Sequence, residues 1–357
     1  MFPIGFFWIF FRNFFIILFT IVEKKVIIYY EEGVKILNPI YEKVESCVEQ
    51  IRKKTEFKPQ IAIVLGSGLG SLAESVKQEA IVEYGELEEF PVSTVDGHKG
   101  RFIMGYIEKT PVIMMQGRVH YYEGYDMSDV VLPIRVMARL GAEVLFLTNS
   151  AGGANTMYRP GDFMMITDHI ASFMPSPLRG ANIPEYGDRF VSMDHIYDDT
   201  LCKVIRTTSR EVGIPLREGV YVQMRGPQYE TEAEVKMCQV LGGDVVGMST
   251  AVEAIAGKHM GMKVCGVSCI TNMACGISKV PLNHMEVSKV GETQSPKFQK
   301  LVYGAVSRMA KALEGDTTPT NSTIITDDTD STFTMSFEPV QTAAYGGGIG
   351  GAIIDDL

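Results

Sequence analysis

Ile61-Ala62-Ile63-Val64-Leu65-Gly66-Ser67-Gly68-Leu69-Gly70 is a short β-branched apolar run that stops at a glycine-rich loop. A continuous apolar run that ends in turn residues reads as a strand. The missing Cβ atoms of the loop would let backbone N–H groups approach an anion closely. The loop fits neither common nucleotide motif: a dinucleotide fingerprint wants glycine where Ser71 stands, and a P-loop wants a Gly-Lys-Ser/Thr ending. Taken locally, Ser67 is either a phosphate ligand or part of a plain turn.

Working outward, residues 38 to 56 read as a helix with Ile40, Val44, Val48 and Ile51 on one stripe. Downstream, the apolar run Pro111–Met115 reads as a buried strand, and Gln116-Gly117-Arg118-Val119-His120-Tyr121-Tyr122-Glu123-Gly124 follows it. If the backbone stays extended past Gly117, Arg118, His120 and Tyr122 share one face. That trio suits an anion beside a sugar: a guanidinium fork, a donor that titrates near neutral pH, and a flat wall with a hydroxyl. The competing reading is a strand end that reaches solvent.

Two more strand ends resemble the first. Val144–Thr148 runs into Asn149-Ser150-Ala151-Gly152-Gly153, and Asp244–Val246 into Gly247-Met248-Ser249-Thr250. Ligands in open α/β sheets gather outside the carboxyl ends of strands, so these ends and the Arg118 strand predict one convergent site. Thr250-Ala251-Val252-Glu253 fits a capping box, which places a helix start beside Ser249 and gives Glu253 a structural role. Thr231-Glu232-Ala233-Glu234 fits another, which puts Tyr229 and Glu230 on the turn before a helix. Val264–Ile270 reads as a further strand ending in Thr271-Asn272-Met273-Ala274, and His284 follows in a loop bearing glycine and proline; an amide and a histidine after a strand are a weak signal by themselves.

Over 357 residues the chain is 46% hydrophobic and 21% charged, enough to bury a sizeable core. From about Ile36 to Glu314 apolar and amphipathic runs alternate at the rhythm of one α/β domain, without internal repeats. The formal net charge of −10 argues against a nucleic-acid partner. The predicted organisation is a hydrophobic leader over 1–35, a catalytic domain over 36–315, and an acidic Thr/Ser/Gly-rich disordered tail over 316–357. Residues 2–22 are long enough to cross a bilayer, and they read either as an anchor that keeps the rest cytoplasmic or as an extension outside the working domain. Membrane contact is expected only through them. Six cysteines without a C-x-x-C pair read as reduced thiols of a cytoplasmic protein.

Taken together, Gly66–Gly70, Gly97-His98, Gly117–Gly124, Thr148–Gly153, Gly226-Pro227-Gln228-Tyr229-Glu230-Thr231, Val246–Thr250 and Thr271-Asn272 resemble, in order, the motifs of the trimeric purine nucleoside phosphorylases. The resemblance covers about residues 38 to 313. It implies a single α/β domain with a central mixed β-sheet flanked by helices, assembled as a homotrimer. It also implies phosphate-dependent cleavage of inosine or guanosine to the free base and α-ribose 1-phosphate. No metal or organic cofactor is implied, inorganic phosphate being a co-substrate.

By the same resemblance Ser67, Arg118, His120, Ser249 and the backbone of Ser150 hold phosphate, with His98 nearby on a mobile loop. Tyr122 and Met248 face the ribose, and Tyr229 stacks near the base. Glu230 takes the purine N1 hydrogen, Asn272 bonds at N7 and O6, and His284 meets the 5′-hydroxyl. Asn272, Glu230, His120 and His284 are the expected catalytic residues. Ser150 stands where the family often has alanine, and Tyr186 where it often has a phenylalanine that reaches a neighbouring subunit's ribose. Asn272 with His284 argues against the sister enzyme acting on 5′-methylthioadenosine. The intact phosphate set argues against a nucleoside-binding protein without catalysis.

Overall fold

The computed structural model describes residues 38–74, 76–95, 99–279 and 281–313, with His284 by its backbone only, and the backbone of four strands within residues 6–36. The chain divides into two units, Met1–Asp316 and Thr317–Leu357, and every described residue belongs to the first. The expected acidic tail lies outside the described residues. In the leader, β1 (Phe6–Phe11), β2 (Phe15–Val22), β3 (Lys25–Tyr30) and β4 (Gly33–Ile36) form an antiparallel meander. The apolar stretch read as bilayer length is thus described as strands, in keeping with its wealth of Phe and Ile. Among the described residues no helix is long and apolar enough to cross a membrane.

Helix α1 (Pro39–Arg52) opens where Asn38 accepts a hydrogen bond from the Ile40 N–H at 3.0 Å, with Pro39 in its favoured first-turn position. Val44, Cys47 and Ile51 are its buried stripe. It stops short of residue 56 because the Thr55 hydroxyl takes the Phe57 N–H at 3.1 Å, a local bond that competes with the helix.

All four residues of β5 (Ile61–Val64) are buried. Then come β6 (Lys77–Glu83), β7 (Arg101–Ile107), β8 (Thr110–Gln116), the helices α2 (Met127–Val130) and α3 (Leu132–Arg139), β9 (Val144–Gly153) and β10 (Phe163–Ile170). Helix α4 (Asp199–Val212), β11 (Leu216–Gln223), α5 (Glu232–Val240), β12 (Val245–Gly247), α6 (Ala251–His259), β13 (Lys263–Met273) and α7 (His284–Leu313) complete the domain. The nine-stranded sheet runs β12-β11-β10-β13-β9-β5-β8-β7-β6. β5 is parallel to both neighbours, β8 and β9, which is why its sequence is uniformly apolar. β6 and β7 pair antiparallel, so the sheet is mixed. β12 also pairs with β9, Val245 opposite Gly153, which closes β12, β11, β10, β13 and β9 into a ring.

Two strands run further than their apolar cores predict. Asn149–Gly153 and Thr271–Met273, read as loops, continue β9 and β13, because they pair in parallel: Asn149 opposite Ser268 and Ser150 opposite Cys269. A register shift between Ile270 and Asn272 leaves Thr271 as an extra residue. Such a bulge frees neighbouring side chains from strict alternation, so both Thr271 and Asn272 reach the same pocket.

Candidate active site

The carboxyl ends of these strands converge as expected. One pocket is lined by Ser67, Arg118, His120, Tyr122, Ser150, Tyr229, Glu230, Met248, Ser249 and Asn272, joined by Thr271 and Val287. The loop after β5 enters it by close backbone approaches. A Cβ on Gly66 would lie 2.6 Å from the Asn149 Cα, and one on Gly68, whose φ is +76°, 2.9 Å from the Gly291 Cα of α7. Glycine is required at both positions. The Ser150 hydroxyl, where alanine is common in the family it resembles, donates to the Ser67 carbonyl at 2.7 Å and ties β9 to this loop.

His98 lies outside the described residues. His284 does not sit in a loop: it begins α7, where Asn283 accepts the Glu286 N–H at 3.0 Å, and lies one turn before Val287. Tyr186 does not line this pocket. It is 4% exposed inside its own chain, with its ring 5.6 Å from that of Tyr41 and 5.8 Å from the Arg135 guanidinium.

The Arg118 trio reaches the pocket by a different route from strand alternation. β8 ends at Gln116, Gly117 takes φ 119°, and Tyr121–Glu123 form a tight 3₁₀ turn. The turn brings His120 and Tyr122 into a stack. Glu123, three residues after His120, accepts from the His120 backbone N–H at 2.7 Å and from its ring Nδ1 at 3.1 Å. Thr94 adds two further donors to the same carboxylate. Burial alone would raise the Glu123 carboxyl, but these hydrogen bonds hold it down at about 2. An ionised carboxylate only accepts, so Nδ1 of His120 carries the hydrogen. Burial, helped by the nearby Arg118 charge, lowers the His120 pKa against the upward pull of Glu123 and so favours the neutral ring. Burial likewise pushes the Tyr122 phenol up to about 12.

Ser249 follows β12 at a strained corner. Thr250 has φ 83° and ψ −57°, and the Ala251 N–H donates to the Ser249 carbonyl at 3.0 Å, a γ-turn of the rare hand. In that conformation the Thr250 side chain forms no helix cap, so the predicted capping box with Glu253 is absent. Thr250 Oγ1 instead accepts from Asn149 Nδ2 at 3.0 Å and lies 3.0 Å from Ser249 Oγ. Glu253 is released to pair with Arg118, Nε to Oε1 at 2.9 Å. The second predicted box does form, Thr231 Oγ1 accepting the Glu234 N–H at 3.3 Å, and it orders the turn that carries Glu230. Burial raises the pKa of Glu230. The Asn272 amide is oriented by Thr271, whose hydroxyl donates to Oδ1 at 3.1 Å, and by its own Nδ2 bond to the Met273 carbonyl at 3.2 Å.

The family model described as the phosphorylase superfamily matches residues 60–307, a span that holds the ringed mixed sheet and the strand ends lining the polar pocket. The chain is 45% identical to purine nucleoside phosphorylase 1 of Geobacillus stearothermophilus, over 75% of this chain and 98% of that protein. It is 41% identical to the purine nucleoside phosphorylase of Mus musculus, over 73% of this chain and 93% of that one. Among solved structures, Schistosoma mansoni purine nucleoside phosphorylase in complex with inosine superposes with a TM-score of 0.71 at 37% identity, covering 75% of this chain and 96% of that one. The chain belongs to the purine nucleoside phosphorylase family.

Proposed function

We propose that this enzyme, a pentosyltransferase of purine nucleoside phosphorolysis, acts on 6-oxopurine nucleosides. Its substrates in this reading are inosine, guanosine and their deoxy forms, and its products the free base and α-(deoxy)ribose 1-phosphate. The observation that carries the reading is the convergence of Ser67, Arg118, His120, Ser249, Glu230 and Asn272, from five separate stretches of sequence, on one pocket.

Departure of the purine builds positive charge on the ribose and negative charge on the base, so the site must stabilise both. In this scheme Ser67, Arg118, His120, Ser249 and the Ser150 N–H hold phosphate, with His98 nearby, and phosphate acts as nucleophile and counter-charge together. Tyr122 and Met248 bound the ribose, Tyr229 the base, and His284 the 5′-hydroxyl. Asn272 donates to N7 as the base gains charge, while the Glu230 carboxylate accepts the N1 hydrogen. Phosphate is a co-substrate, and no metal or organic cofactor enters the scheme.

The homotrimer, with Tyr186 serving a neighbour's pocket only by leaving its buried place beside Tyr41 and Arg135, is carried over from the family resemblance, and a catalytic domain over 36–315 from the α/β rhythm of the sequence together with that resemblance. The cytoplasmic location draws on six free cysteines, all but Cys275 buried. The test is release of hypoxanthine from inosine by the full chain with and without phosphate, beside adenosine and 5′-methylthioadenosine. Phosphate-dependent release from inosine alone supports the reading. Preference for methylthioadenosine would point to the sister activity, and binding without release to a non-catalytic role.

A further inference from the structure

The cation of the pocket is already paired with a carboxylate. Arg118 and Glu253 are 3% and 1% exposed. Among the described residues lining the pocket, Arg118 is the only lysine or arginine. Glu253 Oε2 is buried without a hydrogen-bond partner, although Oε1 is bonded to Arg118. A carboxylate placed so is costly to bury, and its place in the first turn of α6 offsets only part of that cost. Capping does not explain it either, since the Thr250 side chain makes no cap there.

We propose that Glu253 is a positioning residue for phosphorolysis: it fixes the Arg118 fork and cancels most of its charge, so that phosphate meets directed but nearly neutral donors. The inference rests on the phosphorolysis reading above. Its logic is that substrate phosphate and product ribose 1-phosphate both carry the anion into the same site. A lone buried guanidinium would tighten both together, and uniform tightening lowers KM without raising kcat. Orientation without net charge keeps the direction of the fork and lets the product leave.

Two variants of the full chain separate charge from position, with inorganic phosphate as the probe and calorimetry and the phosphate-induced rise in Tm as readouts. E253Q keeps the reach and an acceptor for the Arg118 Nε while removing the charge. It should bind phosphate about tenfold more tightly, show a larger phosphate-induced rise in Tm, and turn over more slowly with the nucleoside KM little changed. E253D keeps the charge but withdraws the acceptor by one methylene, and should bind phosphate about tenfold more weakly. Phosphate affinity in E253Q equal to or below that of the wild type overturns the proposal, as does E253D matching the wild type. Should E253Q fail to fold, E253D decides by the same criterion. A wild-type chain that neither binds phosphate nor releases base sinks the phosphorolysis reading instead, whatever the variants do.

Discussion

The rings of His120 and Tyr122 lie stacked, 4.7 Å between centroids and 17° from parallel. Glu123 grips Nδ1 from the other side of the short turn, so the imidazole is held by a carboxylate at one nitrogen and an aromatic plane on one face. In the proposed scheme this pre-orientation lets His120 meet phosphate as a hydrogen-bonding group of fixed direction.

Tyr122→Ala removes that plane. Aromatic pairs of this geometry contribute about 0.5–1.5 kcal/mol beyond area burial, so phosphate affinity should weaken by up to about tenfold while the fold persists. Steady-state kinetics with phosphate varied checks this, and Tyr122→Phe should restore the wild-type value. A Tyr122→Phe variant as impaired as the alanine one would show that the hydroxyl, not the stack, matters.

Glu123 predicts a pH signature. Its carboxyl moves from an ordinary 4.5 to about 2 on folding. A folded-state pKa below the unfolded one contributes stability that is present above 4.5 and lost as pH falls towards 2. Glu123→Gln should therefore lower Tm at pH 7, and the gap to the wild type should narrow as the pH is taken down through that window. A gap that stays constant down to the acid end would remove the carboxylate from the account.

Thr250 bears the strained corner before α6. Thr250→Ala keeps the strain and strips Asn149 Nδ2 of its acceptor, which should cost about 1–3 kcal/mol. Thr250→Gly loses the same bond but relieves the positive φ, and should be the more stable of the two. Both should raise the KM for phosphate by releasing Ser249. Thermal melts that rank the alanine variant above the glycine one would contradict the strained-turn account.

Asn272→Ala should lower inosine turnover by about a hundred- to a thousandfold, the usual effect of deleting one donor to a developing negative charge. The bulge at Thr271 is a backbone feature, so circular dichroism and Tm should change little. Unchanged turnover would remove Asn272 from the mechanism.

The α/β class, the buried strand at Ile61–Leu65 and the strand ends that carry the site were legible because apolar periodicity and glycine chemistry act over a few residues. The same is true of the Thr231–Glu234 box. Glu123 left a local signal too, a carboxylate three residues after His120. Val287 was within reach once Asn283 is read as a helix cap.

Glu253 left a misleading signal. Its spacing from Thr250 matches a capping box, yet its partner is Arg118, 135 residues earlier. Residue types, their order and the pocket's chemistry thus follow from the sequence alone, because each depends on side-chain identity and short-range backbone preference. Tertiary structure alone decided that Asn149–Gly153 and Thr271–Met273 are strands, that Thr250 turns the wrong way for a cap, and that Glu253 pairs with Arg118. Those outcomes depend on which distant segments share a buried space, where an unpaired strand edge or an uncompensated charge costs more than a local motif can supply.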